Sequence, residues 1–134
     1  MADFAFSEGK VALGAKALNL GTDTIKLVLV TDAYTPSAAH AYSDVSPSEV
    51  AAGGNYTTGG QAITTQSWAA NSGNGKLASD NVTWGSSTIT ARYGVLYDTT
   101  ASKLLRLIDF GSNQSSVNGN FSVQTPANGW DRII

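Results

Sequence analysis

The stretch "TITARYGVLYDTTASKLLRLIDFG", Thr88 to Gly111, decides the fold class. Polar and apolar residues alternate from Thr88 to Asp98, a polar "TTAS" follows, and a second apolar run starts at Lys103. Period-2 alternation is the mark of a half-buried strand, and two such runs around a short polar break read as a hairpin. In the first run Ile89, Ala91, Tyr93, Val95 and Tyr97 are expected on one face, with Thr88, Thr90, Arg92, Gly94 and Leu96 on the other. In the second, Leu105, Leu107 and Asp109 are expected opposite Leu104, Arg106, Ile108 and Phe110.

Working outward, "DTIKLVLVTD" is a further strand. Ile25, Leu27 and Leu29 fall on one side and Lys26, Val28 and Val30 on the other, so both faces are covered. The segments "QAITTQSWA", "KLASDNVTW", "FSVQT" and "WDRII" also read as strands, with "ANSGNG", "GSS", "SNQSSVNGN" and "PANG" as turns between them. About seven or eight short strands with Gly and Asn at the turns predict an all-β chain, a single antiparallel β-sandwich of jelly-roll type. Residues 1–134 are expected to form one domain.

Two regions depart from this pattern. Residues 1–21 form an N-terminal arm or short helix, with Ser7 as cap and Glu8 in the first turn, weakened by Gly9 and Gly14. Residues 32–60 read as a long loop region that contains one helical turn at "SPSEVAA", capped by Ser46 with Pro47 at the first helical position. A connection of this length in a compact domain suggests a contact-making excursion.

Composition narrows the function. Apolar residues make up 42% of the chain, enough for a core, while only 13% are charged, about half the usual share. Ser, Thr, Asn and Gly leave a polar but nearly neutral surface. The net charge of −2 and the scattered Lys and Arg offer nucleic acid no basic patch. No apolar run is long enough to span a membrane. The absence of cysteine excludes disulfides and thiolate metal sites. With no secretion signal in "MADFAFSEGK", synthesis is expected in a cytoplasm, and sequons at Asn55, Asn81, Asn113 and Asn120 carry little meaning.

Chemistry is sparse. His40 is the only histidine, no GxSxG elbow surrounds a serine, and no cofactor or metal site is expected. Asp32, Asp80, Asp98 and Asp109 sit at or near turns, where aspartate bonds local backbone. The segments "SDN" and "DFGSN" offer oxygen ligands for calcium without EF-hand spacing. Gly53-Gly54 and Gly59-Gly60 lack the Lys-Ser/Thr of a phosphate loop and read as turn geometry. Trp68, Trp84 and Trp130 with Tyr34, Tyr42 and Tyr56 form either a sugar-stacking surface or ordinary core. No residue is assigned a catalytic role, and the chain is read as a non-enzyme.

The order of motifs adds a resemblance. The blocks "DTIKLVLVT", "YSDV", "GNYTTGGQAI", "VTWGSSTITARYGVLYD", "IDFG" and "NGNFSVQ" together resemble a family of small tailed-bacteriophage virion structural proteins. The likeness runs from about Lys10 onward, with "GWDRII" replacing a "GILRI"-like ending. It implies a virion structural protein that decorates the head, lines the neck or belongs to the tail. The neutral, cysteine-free β-sandwich favours the first, a capsid decoration or cement protein on the outer surface of the virion. Such a protein bridges neighbouring subunits of the major capsid protein, commonly as a homo-trimer. The interface candidates on this reading are Phe4, Phe6, Tyr34, His40, Tyr42, Tyr56, Trp84, Arg92 and Trp130. The competing expectation is a carbohydrate- or receptor-binding module of a phage tail or head appendage. Exposed, coplanar aromatics would favour the module, and buried tryptophans the cement protein.

Overall fold

The computed structural model describes residues 4–53, 55–71, 74–124 and 131–133. In chain order the elements are β1 (Phe4–Ala5), α1 (Ser7–Gly14), β2 (Ile25–Val30) and α2 (Tyr42–Val45), the last running into a 3-10 turn at Ser46–Ser48. Then come β3 (Gln61–Ala62), β4 (Ser67–Asn71), β5 (Asn74–Ala78), β6 (Val82–Asp98), β7 (Lys103–Val123) and β8 (Asp131–Ile133). The chain is mostly strand, and every pairing among the described residues is antiparallel. One sheet has the order β1-β7-β6-β2-β3, and a second has the order β4-β5-β8.

The expected hairpin is present: Asp98 lies opposite Lys103, and Asp98 Oδ1 accepts the Ala101 N–H at 3.0 Å across the turn. Its strands run well past their expected ends, to 17 and 21 residues. The segments "GSS" and "SNQSSVNGN" are not turns but paired strand, with Ser87 opposite Gly119 and Ile89 opposite Ser116. Turns and solvent-exposed edge strands draw on the same small polar residues, because neither is buried. The turn-like chemistry shows up instead as positive φ at Ser86, Gly111 and Asn118, where the ladder is interrupted. Similarly, "QAITTQSWA" is not one strand: β3 pairs with β2, and after Ile63–Gln66 the chain enters β4 in the other sheet.

The ribbon made by β6 and β7 is sharply bent. Phe110 and Phe121 are both on β7, and a straight strand would hold them about 36 Å apart. Their ring centroids are 6.4 Å apart. Between the pairs Ala91–Gln114 and Tyr93–Asp109, β6 has the single residue Arg92, whereas β7 has Phe110 to Asn113. That excess length on one strand is a large bulge, which turns the ribbon back on itself. Arg92 Nε bonds Asp109 Oδ1 at 3.0 Å and so ties the two strands together at this corner.

Bulges also revise the expected faces. Ile89 and Ala91 belong to one core cluster, but Tyr93 and Val95 belong to the other, because the corner intervenes. A second irregularity between Leu96 and Tyr97 leaves Leu105 out of register, so Leu104 and Leu107 share a cluster while Leu105 faces the opposite side. One inserted residue exchanges the faces of everything after it.

The larger cluster joins Ile25, Leu27 and Leu29 of β2 to Leu77 of β5 and to Val82, Trp84, Phe121 and Val123 of the folded-back ribbon. Trp84 is 1% exposed and meets Tyr56 and Phe121 edge-on or tilted. The smaller cluster covers the other face of β2 and β6 with Phe6, Tyr34 and Val45. Full burial of each such side chain stabilises by about 1.5–3 kcal/mol.

Helix α1 rests on β7. Its N-cap residue is Phe6 rather than Ser7, and no side chain caps it. Glu8 does sit in the first turn, where its carboxylate accepts the Leu104 N–H at 2.6 Å. Gly9, which lowers helix propensity, is what lets the helix sit so close: a Cβ there would lie 2.5 Å from the Leu104 carbonyl oxygen. Gly9→Ala is therefore expected to destabilise the chain by about 1–3 kcal/mol through overpacking. At Gly14 nothing lies within 4 Å of the added methyl. Gly14→Ala is expected to be neutral or to gain up to about 1 kcal/mol. Urea denaturation of the two variants checks the contrast.

Candidate functional site

The 32–60 region is folded down rather than reaching out. Its closing half returns to the end of β2: the Thr31 N–H bonds the Ser48 carbonyl at 2.8 Å, and the Val50 N–H bonds the Leu29 carbonyl at 2.9 Å. Glu49 is the centre of this closure. Its Oε1 accepts the Tyr42 hydroxyl at 2.8 Å, and its Oε2 accepts the Tyr56 hydroxyl and the Gly59 N–H, each at 2.7 Å. The Tyr56 oxygen in turn accepts the Leu29 N–H at 3.0 Å, which fastens the network to β2. Burial, and then the bond to Glu49, push the Tyr42 and Tyr56 phenols well above their ordinary range, so both act as neutral donors. Beyond Gly59, Gly60 has φ +82°, and a Cβ there would lie 2.0 Å from the Leu27 carbonyl oxygen. Only glycine lets the chain enter β3 this close to β2.

The aromatic interface candidates are mostly spent on the interior. Phe6, Tyr34, Tyr56 and Trp84 are buried, which corrects the expectation that their side chains offer a contact surface. Each has enough apolar area to be worth more in the core than in water. Tyr34 donates to or accepts from His40 Nδ1 at 2.7 Å, so His40 is a half-buried loop partner. Tyr42 stacks flat on Tyr97 with centroids 4.6 Å apart. Arg92 is occupied at the ribbon corner by Asp109 and lies 5.4 Å from the centroid of the Tyr93 ring. Burial raises the Asp109 carboxyl, but the Arg92 guanidinium and the Gly111 N–H outweigh it and hold the group below the usual carboxylate range. Phe4 contributes backbone pairing to Leu107, and its side chain lies outside the described set, as does Trp130. No aromatic residue whose burial is described is exposed, so the coplanar sugar platform is not formed among them.

The surface that is exposed is the far half of the ribbon. From Ser112 to Asn118 every residue of β7 except Ser116 is exposed, and Val117 stands 75% open to solvent. Hydroxyls line this half: Thr83 with Ser122 at 2.9 Å, Thr90 with Ser115 at 3.0 Å, and Thr88 Oγ1 accepting the Asn118 N–H at 3.1 Å. Among the described strands only β6 pairs with this part of β7, and no described strand covers its outer edge. Beside it is a shallow cavity of about 470 Å³, lined by Phe110, Gln114, Asn120, Phe121 and Gln124 among others and, among the described residues, by no titratable side chain. The sequence signal for this surface was the absence of any charged residue from Phe110 to Trp130, which reading the segment as turns concealed.

Such an arrangement offers shape and hydrogen-bonding groups, with no titratable side chain among the described lining residues. Four of the described carboxylates are engaged elsewhere: Glu49 with the tyrosines, Asp109 with Arg92, Asp80 with the Thr65 hydroxyl at 2.8 Å and Asp32 with Asn113 at 3.1 Å. The "SDN" and "DFGSN" segments thus use their acids as local braces, and no cluster of three metal-ligating residues occurs among the described residues. No described helix is long and apolar enough to cross a membrane. No family model, curated protein or solved structure matches the chain.

Removing the Glu49 carboxylate is expected to be among the costliest single changes outside the apolar core. Glu49→Ala leaves two phenols and an N–H without their acceptor and should cost about 2–4 kcal/mol. Glu49→Gln keeps one acceptor and should cost about half as much. Chemical denaturation measures both, and equal costs would contradict the clamp.

Proposed function

We propose that this chain is a structural component of a tailed-phage particle, a decoration protein that bridges neighbouring major capsid subunits from the outside. The observation that carries the reading is the uncharged, hydroxyl-rich outer half of the β6–β7 ribbon, with an edge that no described strand covers and an exposed Val117. An exposed edge strand is a pairing hazard that proteins normally blunt with lysine or proline. Here neither residue type occurs between Phe110 and Thr125, as suits a surface that is covered in use. The family resemblance of the motif order points the same way.

On this reading the two sheets and the folded-back ribbon act as the layers of a small jelly-roll-like sandwich. Its rigidity comes from the two core clusters and from the Glu49 clamp. Copies assemble as a homo-trimer over gaps between shell subunits. Added buried area then raises the heat or force needed to separate those subunits, by mass action on the assembled state. The competing carbohydrate- or receptor-binding module has less support, because Trp84, Tyr34 and Tyr56 are buried and Tyr42 is stacked on Tyr97 of β6.

Quantitative mass spectrometry of purified particles tests the proposal. Copy numbers of the same order as the major capsid protein are expected. A handful of copies would move the chain to the neck or tail, and absence from the particle would overturn the reading. Val117→Lys places a charge on the open edge at a site where surface substitution changes stability by only about 0.5 kcal/mol. It is expected to lower particle occupancy while the isolated chain melts as before. Full occupancy would remove this edge from the contact.

A further inference from the structure

The buried end of the hairpin holds an acid that the contact surface does not use. Asp98 is 0% exposed, and its Oδ2 meets no N–H or O–H donor, although its Oδ1 accepts from Ala101. The side chain that adjoins it is the Asp23 carboxyl, while the Thr100 N–H, like that of Ala101, favours its charged form. The chain holds these two segments together by several bonds. Asp98 is paired in register with Ile25, the Thr99 N–H and hydroxyl both donate to the Thr24 carbonyl, and the Thr24 N–H donates to Thr100 Oγ1 at 3.0 Å. Two carboxyl groups can bond each other only if a proton lies between them.

We propose that Asp98 and Asp23 share a proton, and that this carboxyl pair is a pH-sensitive latch between the hairpin turn and the turn that leads into β2. The second of these turns is a joint for three parts of the molecule. Leu18 and Leu20 pass from it into the main core, Asp23 Oδ2 accepts the Asn19 N–H at 2.9 Å, and Gln66 Nε2 donates to the Leu20 and Asp23 carbonyls. The charged groups around Asp98 do not neutralise it. Lys103 lies opposite on β7, Lys26 is one residue along β2, and neither forms an ion pair with it; Glu8 of α1 is engaged by the Leu104 N–H.

Burial, reinforced by the bond to Asp23, pushes the Asp98 carboxyl up to about 6. A group raised in the folded state stabilises while protonated, and that contribution is lost as pH rises through the folded value. The latch is therefore closed below about pH 6 and under strain above it, where two negative charges adjoin.

Carboxyl-carbon NMR titration of the whole chain reads the latch directly. The Asp98 signal is expected to titrate near 6 in the parent chain and to move towards ordinary carboxylate values in Asp23→Asn, where the neighbour can donate. Asp98→Asn mimics the protonated acid, keeping an acceptor for Ala101 and a donor for Asp23. Its melting temperature should stay level from pH 4.5 to 7.5, while that of the parent falls by a few degrees over the same range. At pH 7.5, amides of residues 18–25 should exchange faster in the parent than in Asp98→Asn. An Asp98 midpoint near 4, or no response to Asp23→Asn, would overturn the latch. So would calcium that stabilises the parent at pH 7.5 but not Asp98→Asn, since a cation would then occupy the place of the proton.

Discussion

The corner at Arg92 is the constraint on which the rest of the structure depends. A two-stranded ribbon as long as β6 and β7 cannot bury its apolar side if it stays straight, because it has too few strands beside it. Adding Phe110 to Asn113 on one strand against Arg92 alone on the other folds the ribbon back on itself. Trp84, Phe121 and Val123 then reach the same cluster as Leu27, Leu29 and Leu96. The Arg92–Asp109 bond closes the corner without a hydrophobic contribution of its own. Its carboxylate is 2% exposed, so loss of the arginine would leave a buried charge poorly compensated.

Once the ribbon is bent, the remaining segments serve as covers. β5 and the segment through Leu18 and Leu20 close the main cluster, while Phe6, Tyr34 and Val45 close the other face of β2 and β6. The second cover is made of loop, and a loop supplies few backbone bonds of its own to hold it in place. Glu49 compensates by collecting two phenols and an N–H around one carboxylate. The excursion is thereby a structural layer, and the open part of the ribbon is left as the exposed, neutral surface of the molecule.

Strand class and the main hairpin were legible in the sequence, because alternation survives wherever one face is buried. The covered β2 strand was legible for a different reason, a short continuous apolar run, with Ile25 to Val30 apolar on both sides apart from Lys26. Bulges were not legible. Ser86, Gly111 and Asn118 look like turn residues and have turn-like φ values, yet they interrupt strands that continue beyond them. The burial of four aromatic contact candidates, Phe6, Tyr34, Tyr56 and Trp84, was hidden for a related reason. Aromatic residues in a loop are read as exposed when the loop is assumed to project, and Tyr34 and Tyr56 are buried because the loop lies flat. The more informative feature was the missing charge between Asp109 and Asp131, a property of what the segment lacks rather than of any motif.

The bent ribbon is tested most directly by ring-to-ring nuclear Overhauser effects between Phe110 and Phe121 in the isolated chain. Rings whose centroids are 6.4 Å apart bring edge protons close enough for a clear cross-peak. The corner predicts that cross-peak, together with one between Trp84 and Phe121. A straight ribbon would hold Phe110 and Phe121 about 36 Å apart. Absence of the Phe110–Phe121 cross-peak in a folded, fully assigned chain would contradict the bend and, with it, the core built around it.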